Sequence, residues 1–209
     1  SKAVLLGGTT LQLINEKTKE QFTWCYSTGL SGYLQESLHD QELLIPLFAG
    51  AQFADAEDEN YAQGEGAEWV VGWTLDGPVV RESFVNLIST PAGGTHEAGL
   101  RDGLYQAVKN FAELHSLLPK GLRLLPEDVF SRASFVLSAK ILDPQFQGQI
   151  KERLNSRDAV RMISTFVRNA LELHLHADVE AGKKLAEVVI RHAQARVRSA
   201  KRVEKRKSS

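Results

Sequence analysis

The chain has 209 residues, 43% hydrophobic and 24% charged, which suits one large globular domain or one domain carrying a piece of another. The longest apolar stretch, LLIPLFAGA at 43–51, is too short to cross a bilayer and contains a proline, which excludes a helical membrane span. Cys25 is the only cysteine, which excludes an intrachain disulfide and fits a reducing cytoplasm. The net charge of −1 conceals a basic end on an acidic body: from Arg191 onward eight Lys/Arg stand against Glu204 alone, +7, leaving −8 on the rest. The N-terminus lacks the basic and apolar regions of a signal peptide, and its abrupt start, SKAVLLGG, reads as an excised segment.

Residues 3–14 (AVLLGGTTLQLI) and 21–26 (QFTWCY) read as two strands, and the polar NEKTKE between them predicts a hairpin. Cys25, between Trp24 and Tyr26, is expected as a core or half-buried thiol. In TGLSGYLQESL (28–38), Leu30, Tyr33, Leu34 and Leu38 recur at helical spacing and predict a short helix. Residues 40–67 are irregular, and ADAEDENYAQGEGAE (54–68), with six carboxylates and no base, is expected as a mobile surface loop. EWVVGWTL (68–75) and VVRESFVNLIST (79–90) predict strands joined as a hairpin through Asp76-Gly77. Trp69 and Trp73 offer a stacking platform or a core, and tryptophans in paired strands point first to the core.

Thr95 is the expected N-cap of a helix whose apolar face carries Leu100, Leu104, Ala107, Val108, Phe111, Leu114 and Leu118, stopped by Pro119 and Gly121. SFVLSAKIL (134–142) predicts a strand. Asn155 or Ser156 then caps a helix with Val160, Ile163, Val167, Ala170 and Leu171 on its apolar side. From about Asp178 a last helix aligns Leu185, Val189, Ala193, Val197 and Ala200. Strands, helix, strand, helix, helix, without repeats and with few signs of an all-parallel sheet, make the fold class α+β.

Few residues offer chemistry. His174 and His176 are two apart, so on a helix they point to different faces, and His96-Glu97 lacks the second histidine of a zinc-protease helix. No metal site is expected, and neither a serine nucleophile elbow nor a P-loop occurs. Gly93-Gly94 before a helix could present N–H groups to an anion, although a tight strand-to-helix turn needs the same residues. Arg191, Arg198, Arg202 and Lys205, spaced by seven, four and three, share one face of the last helix while the apolar stripe occupies another. Over 182–205 that helix would run about 36 Å. Its basic face could follow a nucleic-acid backbone by charge, or be the solvated side of a helix connecting two domains. In DPQFQGQIKERL (143–154), Gln149 and Lys151 pair a directional donor with a positive charge, as a terminal phosphate requires. Polar turns use the same residues, so the pair alone leaves both readings open.

GGTHEAGLRDGL (93–104), PEDVFSRASFVLSAKILDPQFQGQIKERL (126–154) and AQARVRSAKRVEKRK (193–207) together resemble the B subunit of bacterial type IIA DNA topoisomerases. The wording DPQFQGQIKERL is more similar to the topoisomerase IV branch than to the gyrase branch, and the resemblance covers almost the whole chain. It implies that residues 1–26 are the closing strands of the family's ATPase domain and 27–209 its transducer domain, ending in a long basic helix directed towards the DNA-cleavage core. It also implies a four-stranded sheet with helices on one side and a left-handed crossover, similar to a domain of a small-subunit ribosomal protein. The family's transducer extends a glutamine-threonine-lysine loop to the γ-phosphate of ATP. The matching residues are Gln149, Ile150 and Lys151, so the two contacting positions are kept and isoleucine replaces threonine.

The resemblance further implies a bacterial cytoplasmic enzyme that uses ATP and Mg2+, relaxes and decatenates double-stranded DNA, and works as an A2B2 heterotetramer with the topoisomerase IV A subunit. A second copy of the B subunit would join on ATP binding. The family's catalytic glutamate, magnesium-binding asparagine and nucleotide lid would precede residue 1, its metal-binding acidic domain would follow residue 209, and its breaking tyrosine lies on the other subunit. This segment alone is therefore expected to carry no catalytic residue, to bind no nucleotide or metal, and to be inactive. The transducer of a gyrase B subunit and a stand-alone basic nucleic-acid-binding module are the alternative readings.

Overall fold

The strand β7 (Ala133–Lys140), ASFVLSAK, sets Phe135, Leu137 and Ala139 on one face and Val136 between two serines on the other, and it is buried on both faces, as a central strand is. The computed structural model describes residues 10–14, 21–25, 29–149 and 151–207. In it β7 pairs antiparallel with β4 (Gly66–Trp73), which pairs antiparallel with β3 (Phe48–Phe53). On its other side β7 runs parallel to β5 (Arg81–Val85), and β6 (Ile88–Ser89) closes that edge. The result is a five-stranded mixed sheet in an α+β fold. A separate antiparallel pair joins β1 (Thr10–Ile14) to β2 (Gln21–Cys25), consistent with the expected hairpin strands. The surroundings of Cys25 and Ile150 and the side chain of Lys205 lie outside the described residues.

Three strand expectations are corrected. Gly77, with φ 75°, does turn the chain, but Asp76-Gly77 makes no hairpin because β7 inserts between β4 and β5. Residues 79–90 are not one strand: Asn86 and Leu87, with φ of 49° and 66°, fold it into the tight β5–β6 hairpin. Within 40–67, FAGAQF forms β3. The acidic stretch after it folds into turns, where Asp55 Oδ1 accepts from Glu57 N and Asp58 Oδ1 from Asn60 N and Tyr61 N. Tyr61 then packs edge-on against Phe166.

The helix α1 (Gly29–Ser37) buries Leu30 and Leu34, with Leu38 just beyond it, against Val70, Phe84 and Val136. The opposite face of the sheet, with Trp69, Val71, Trp73, Phe135 and Leu137, packs into the main core with α2 (Thr95–Leu114) and α4 (Arg157–Ala177). Both tryptophans are core residues, and Trp73 Nε1 donates to Val129 O at 3.0 Å. The expected four-stranded sheet with helices on one side is thus corrected: the sheet has a fifth, two-residue strand, and Val70, Phe84 and Val136 give the second face an apolar patch that α1 covers. The chain passes from β5 to its parallel neighbour β7 through α2 and α3 (Pro126–Phe130), a crossover connection.

On α2, Leu100, Leu104, Ala107, Val108 and Phe111 are buried as expected, whereas Leu114 is 70% exposed. Ser116, with φ 54°, ends the helix before Pro119 is reached, and Leu117 N donates to Ala112 O across the turn. Thr95 is the first helical residue and Gly94 its cap, while Ser156 stands at the N-cap of α4 without a side-chain cap bond. Val160 and Ala170 lie at the margin of α4's buried face rather than in it. Two glycines let α2 and α4 approach closely. A Cβ at Gly99 would stand 2.8 Å from Val160 O, and one at Gly103 would stand 2.7 Å from Ser164 O.

The last helix, α5 (Val179–Lys207), has 29 residues and so runs about 43 Å. Asp178 starts it, its Oδ1 accepting from Ala181 N at 3.1 Å. Leu185, Val189 and Ala193 are buried, Val197 is half-buried and Ala200 exposed, so the expected stripe leaves the body part-way along. At the departure point Arg196 donates to both carboxylate oxygens of Asp128 on α3, at 2.9 and 2.8 Å, and to Arg123 O at 2.9 Å. His192 Nδ1 donates to Asp128 O at 3.0 Å. Residues 198–203 are exposed on every side.

Gly103→Ala is expected to destabilise by about 1–2 kcal/mol despite alanine's helix preference of about 1 kcal/mol, because the added methyl meets the backbone of α4. Thermal unfolding checks this; a melting temperature at or above the parent's contradicts it. Arg196→Ala leaves the buried Asp128 carboxylate with Leu125 N as its remaining donor among the described residues and is expected to cost about 1–3 kcal/mol, discounted because the arginine is part-exposed. Hydrogen exchange should quicken over residues 190–203 while 159–171 stay protected.

Candidate functional site

The short strands β8 (Phe146–Gln147) and β9 (Arg153–Leu154) pair antiparallel, and the chain between them carries Gln149 and Lys151. Gly148 and Lys151 take the left-handed conformation, with φ of 80° and 55°. Both candidate side chains are therefore brought to one turn, and both are exposed. Lys151 Nζ lies 5.9 Å from the ring centre of Phe146, which packs against the main core. Among the described residues neither Gln149 nor Lys151 has a hydrogen-bond or ion-pair partner.

The base of this hairpin is docked on the turn that starts α2. Leu154 N donates to Gly93 O, and Ala92 N to Glu152 O, each at 3.1 Å. Ser156 N donates to Thr95 Oγ1 at 3.0 Å, and Asn155 N to Gln145 O at 2.7 Å. Gly94 pairs with Leu154 so closely that a Cβ there would lie 2.3 Å from Leu154 O, and its φ of 140° suits glycine alone. Of the two readings of Gly93-Gly94, the structure favours the tight turn: Glu97 Oε2 would lie 2.7 Å from a Cβ at Gly93, so a carboxylate already covers the turn.

Beneath that turn lies a buried polar chain that sequence reasoning missed. Ser83 of β5 hydrogen-bonds to Glu97 Oε1 and, at 2.8 Å, to Thr90 Oγ1, which in turn meets His96 Nε2 at 2.9 Å. Ser83, Thr90 and His96 are 4%, 1% and 0% exposed. Burial pushes the His96 pKa down to about 4, so its ring is neutral at physiological pH. Its signal in the sequence is faint: Ser83, Thr90 and His96 are polar residues near apolar ones, and His96-Glu97 alone is half of a metal motif.

Arg191, Arg198 and Arg202 are exposed along one face of α5, as expected, while Lys205 is outside the described side chains. Arg196, which the spacing argument passed over, faces the body instead. His174 lies against Phe48 at 5.3 Å and His176 against Phe111 at 5.5 Å, on diverging sides of α4. Among the described residues no group of three or more His, Cys, Asp or Glu is placed to hold a metal, and no helix is long and apolar enough to cross a membrane.

The DNA gyrase B family model matches residues 29–205. The B subunit of DNA topoisomerase 4 from Escherichia coli (strain K12) is 40% identical over 209 residues, which is 99% of this chain and 32% of that protein. The Pseudomonas aeruginosa protein of the same name is 40% identical over 213 residues, with the same coverage. The chain thus spans about a third of the length of the curated relatives it matches. Among solved structures, the topoisomerase IV ATP-binding domain of Francisella tularensis in complex with a small-molecule inhibitor is 33% identical, with a TM-score of 0.75 over 94% of this chain and 51% of that one. The 43K ATPase domain of Thermus thermophilus gyrase B in complex with an aminocoumarin gives a TM-score of 0.81 over 97% and 53%; at 21% identity it speaks to the fold alone. With that match running from the start of α1 almost to the end of α5, well over half of its length, the chain belongs to the DNA gyrase B family.

Proposed function

We propose that this chain is the part of a topoisomerase IV B subunit that couples ATP to DNA strand passage. Residues 1–26 are then the last strands of the ATPase domain, and 27–209 the transducer with its left-handed crossover. The relatives at about 40% identity, each by name the B subunit of a DNA topoisomerase 4, support that branch. The observation that carries the reading is the hairpin tip. There, among the described residues, a lysine without an acidic partner and a glutamine without a hydrogen-bond partner share one exposed turn. That donor set fits a terminal phosphate, Lys151 supplying charge and Gln149 direction.

ATP, held with Mg2+ by the complete protein, supplies the phosphate that hydrolysis later removes. Lys151 makes a charge-assisted hydrogen bond worth about 1.5–3 kcal/mol only in the closed state. At about 2 kcal/mol this shifts the closed-to-open ratio roughly thirtyfold. The helix α5 carries the resulting rotation outward, and Arg191, Arg198, Arg202 and Lys205 face the double-stranded DNA that is transported. The partners are the topoisomerase IV A subunit in an A2B2 assembly and a second copy of the B subunit, in the bacterial cytoplasm. On this reading the segment alone binds neither nucleotide nor metal and is inactive.

The gyrase B description of the matching family favours a second assignment within the same class, the B subunit of a gyrase. Negative supercoiling by the complete protein with its DNA-cleaving partner would establish it, and relaxation and decatenation alone would exclude it. The exposed arginines of α5 also suit a stand-alone nucleic-acid-binding module, which requires the isolated chain to bind duplex DNA with a steep salt slope.

In the complete protein, Lys151→Ala is expected to lower ATP-dependent decatenation and the ATPase rate by about the same thirtyfold; unchanged rates refute the phosphate contact. Replacing Arg191, Arg198 and Arg202 together with alanine is expected to weaken strand passage and flatten its dependence on salt, by up to about three phosphate contacts. Activity indifferent to that change at every salt concentration marks α5 as a connector only.

A further inference from the structure

The buried chain beneath the hairpin has one consistent assignment of protons. Ser83 Oγ has a single hydrogen, and the carboxylate of Glu97 is its strongest acceptor, with Thr90 O at 3.2 Å the weaker one. Ser83 must then accept from Thr90 Oγ1, and Thr90, its own hydrogen used, must accept from His96 Nε2. The order fixes His96 as the Nε2–H tautomer. It leaves Nδ1 buried as an acceptor with no donor among the described residues, a cost that an apolar side chain would avoid. Three buried polar groups and the part-buried Glu97 carboxylate, joined in one chain, are better suited to specifying one geometry than to adding stability.

The geometry they specify is that of the turn under the hairpin. Thr90 N donates to Ser83 O at 2.9 Å, Gly93 N donates to Thr90 O at 2.8 Å, and Gly93 O receives Leu154 N. The Glu97 carboxylate, held by Ser83, lies against Gly93 from the other side. A shift of Thr90 therefore moves Gly93, and with it the strand that leads back to Lys151.

We propose that Thr90, with Ser83, His96 and Glu97, is a set of positioning residues that aims the Gln149–Lys151 hairpin, so that recognition of a γ-phosphate depends on a hydroxyl–imidazole chain buried below it. This rests on the reading of Gln149 and Lys151 as phosphate contacts. The test is Thr90→Val in the complete protein, which keeps the shape and removes the hydroxyl. Affinity for a non-hydrolysable ATP analogue is expected to fall about tenfold, within the roughly hundredfold loss that an ångström of misplacement causes, with ADP affinity unchanged. The amides of Leu154 and Ser156 lose exchange protection, and Thr90→Ser restores all of this. Ser83→Ala, read the same way, serves if the valine variant folds poorly. Nitrogen NMR of the parent finds the His96 proton on Nε2.

An unchanged ratio of ATP-analogue to ADP affinity in Thr90→Val, while Lys151→Ala lowers it, overturns the inference. So does a proton on His96 Nδ1. If Lys151→Ala is silent as well, the phosphate reading falls. Lost protection at Leu154 and Ser156 then upholds the positioning of the hairpin, and retained protection overturns it.

Discussion

The parallel pairing of β5 with β7 is the constraint from which the candidate site follows. Parallel neighbours end on the same edge of a sheet, so the segments that follow them emerge side by side. After β5 comes the tight β6 turn, Thr90 and the glycines that start α2; after β7 comes the hairpin bearing Gln149 and Lys151. Residues about sixty positions apart, Gly94 and Leu154, therefore meet and pair. A sheet in which Asp76-Gly77 joined β4 and β5 as antiparallel neighbours would remove β7 from β5 and with it this meeting. The central place of β7 agrees with its burial on both faces, Val136 meeting the α1 cluster and Phe135 and Leu137 the α2–α4 layer.

A second consequence concerns how movement at that edge could leave it. The helix α2 carries the hairpin on its first turn and packs directly against α4 through Gly99 and Gly103, where backbone meets backbone. At its far end Phe111 lies against Gly182 near the start of α5, so closely that a Cβ would stand 2.5 Å from the ring. Interfaces of this kind have little compressible side chain between them, and they pass on a rigid-body shift rather than absorb it. The carboxylate of Asp128 grips Arg196 where α5 leaves the body, which gives the exposed 198–203 stretch a fixed direction.

The sequence displays some of this plainly and hides the rest for physical reasons. The helices α2, α4 and α5 are legible because Leu100, Leu104, Phe111, Ile163, Val167, Leu185 and Val189 repeat at the spacing of a buried helical face. The tryptophan pair of β4 is legible for the corresponding reason in strands. By contrast β3 is hidden, since FAGAQF puts glycine and alanine in its middle where β-formers would announce it; Gly50 is there because Trp69 lies on it. The stop of α2 is hidden because Ser116 takes the left-handed position where glycine is the usual signal. Gln149 and Lys151 are visible only as a polar turn, and the phosphate contact proposed for them rests on resemblance. Ser83, Thr90 and Glu97 could not be joined on paper, because their link exists only once a strand, a turn and a helix start have come together.

The energies at the hairpin tip also suit the phosphate contact proposed for Lys151. Lys151 is held in place by Phe146 at a distance where an exposed cation–π contact is worth about 0.5–1 kcal/mol at most. On the proposed reading, a charge-assisted bond to phosphate, worth about 1.5–3 kcal/mol, exceeds that contact and leaves a margin to bias the domain. A carboxylate partner at the tip would instead have cancelled the charge that the proposed contact uses. The base is built the other way: backbone-donor bonds from Leu154, Ala92 and Ser156, and a glycine with no room for a side chain, tie it to the start of α2. Under that proposal, weak restraint at the tip would let Lys151 respond, and strong restraint at the base would pass the response to the rest of the fold. If the base were as loosely held as the tip, binding would reorder a loop and shift nothing else.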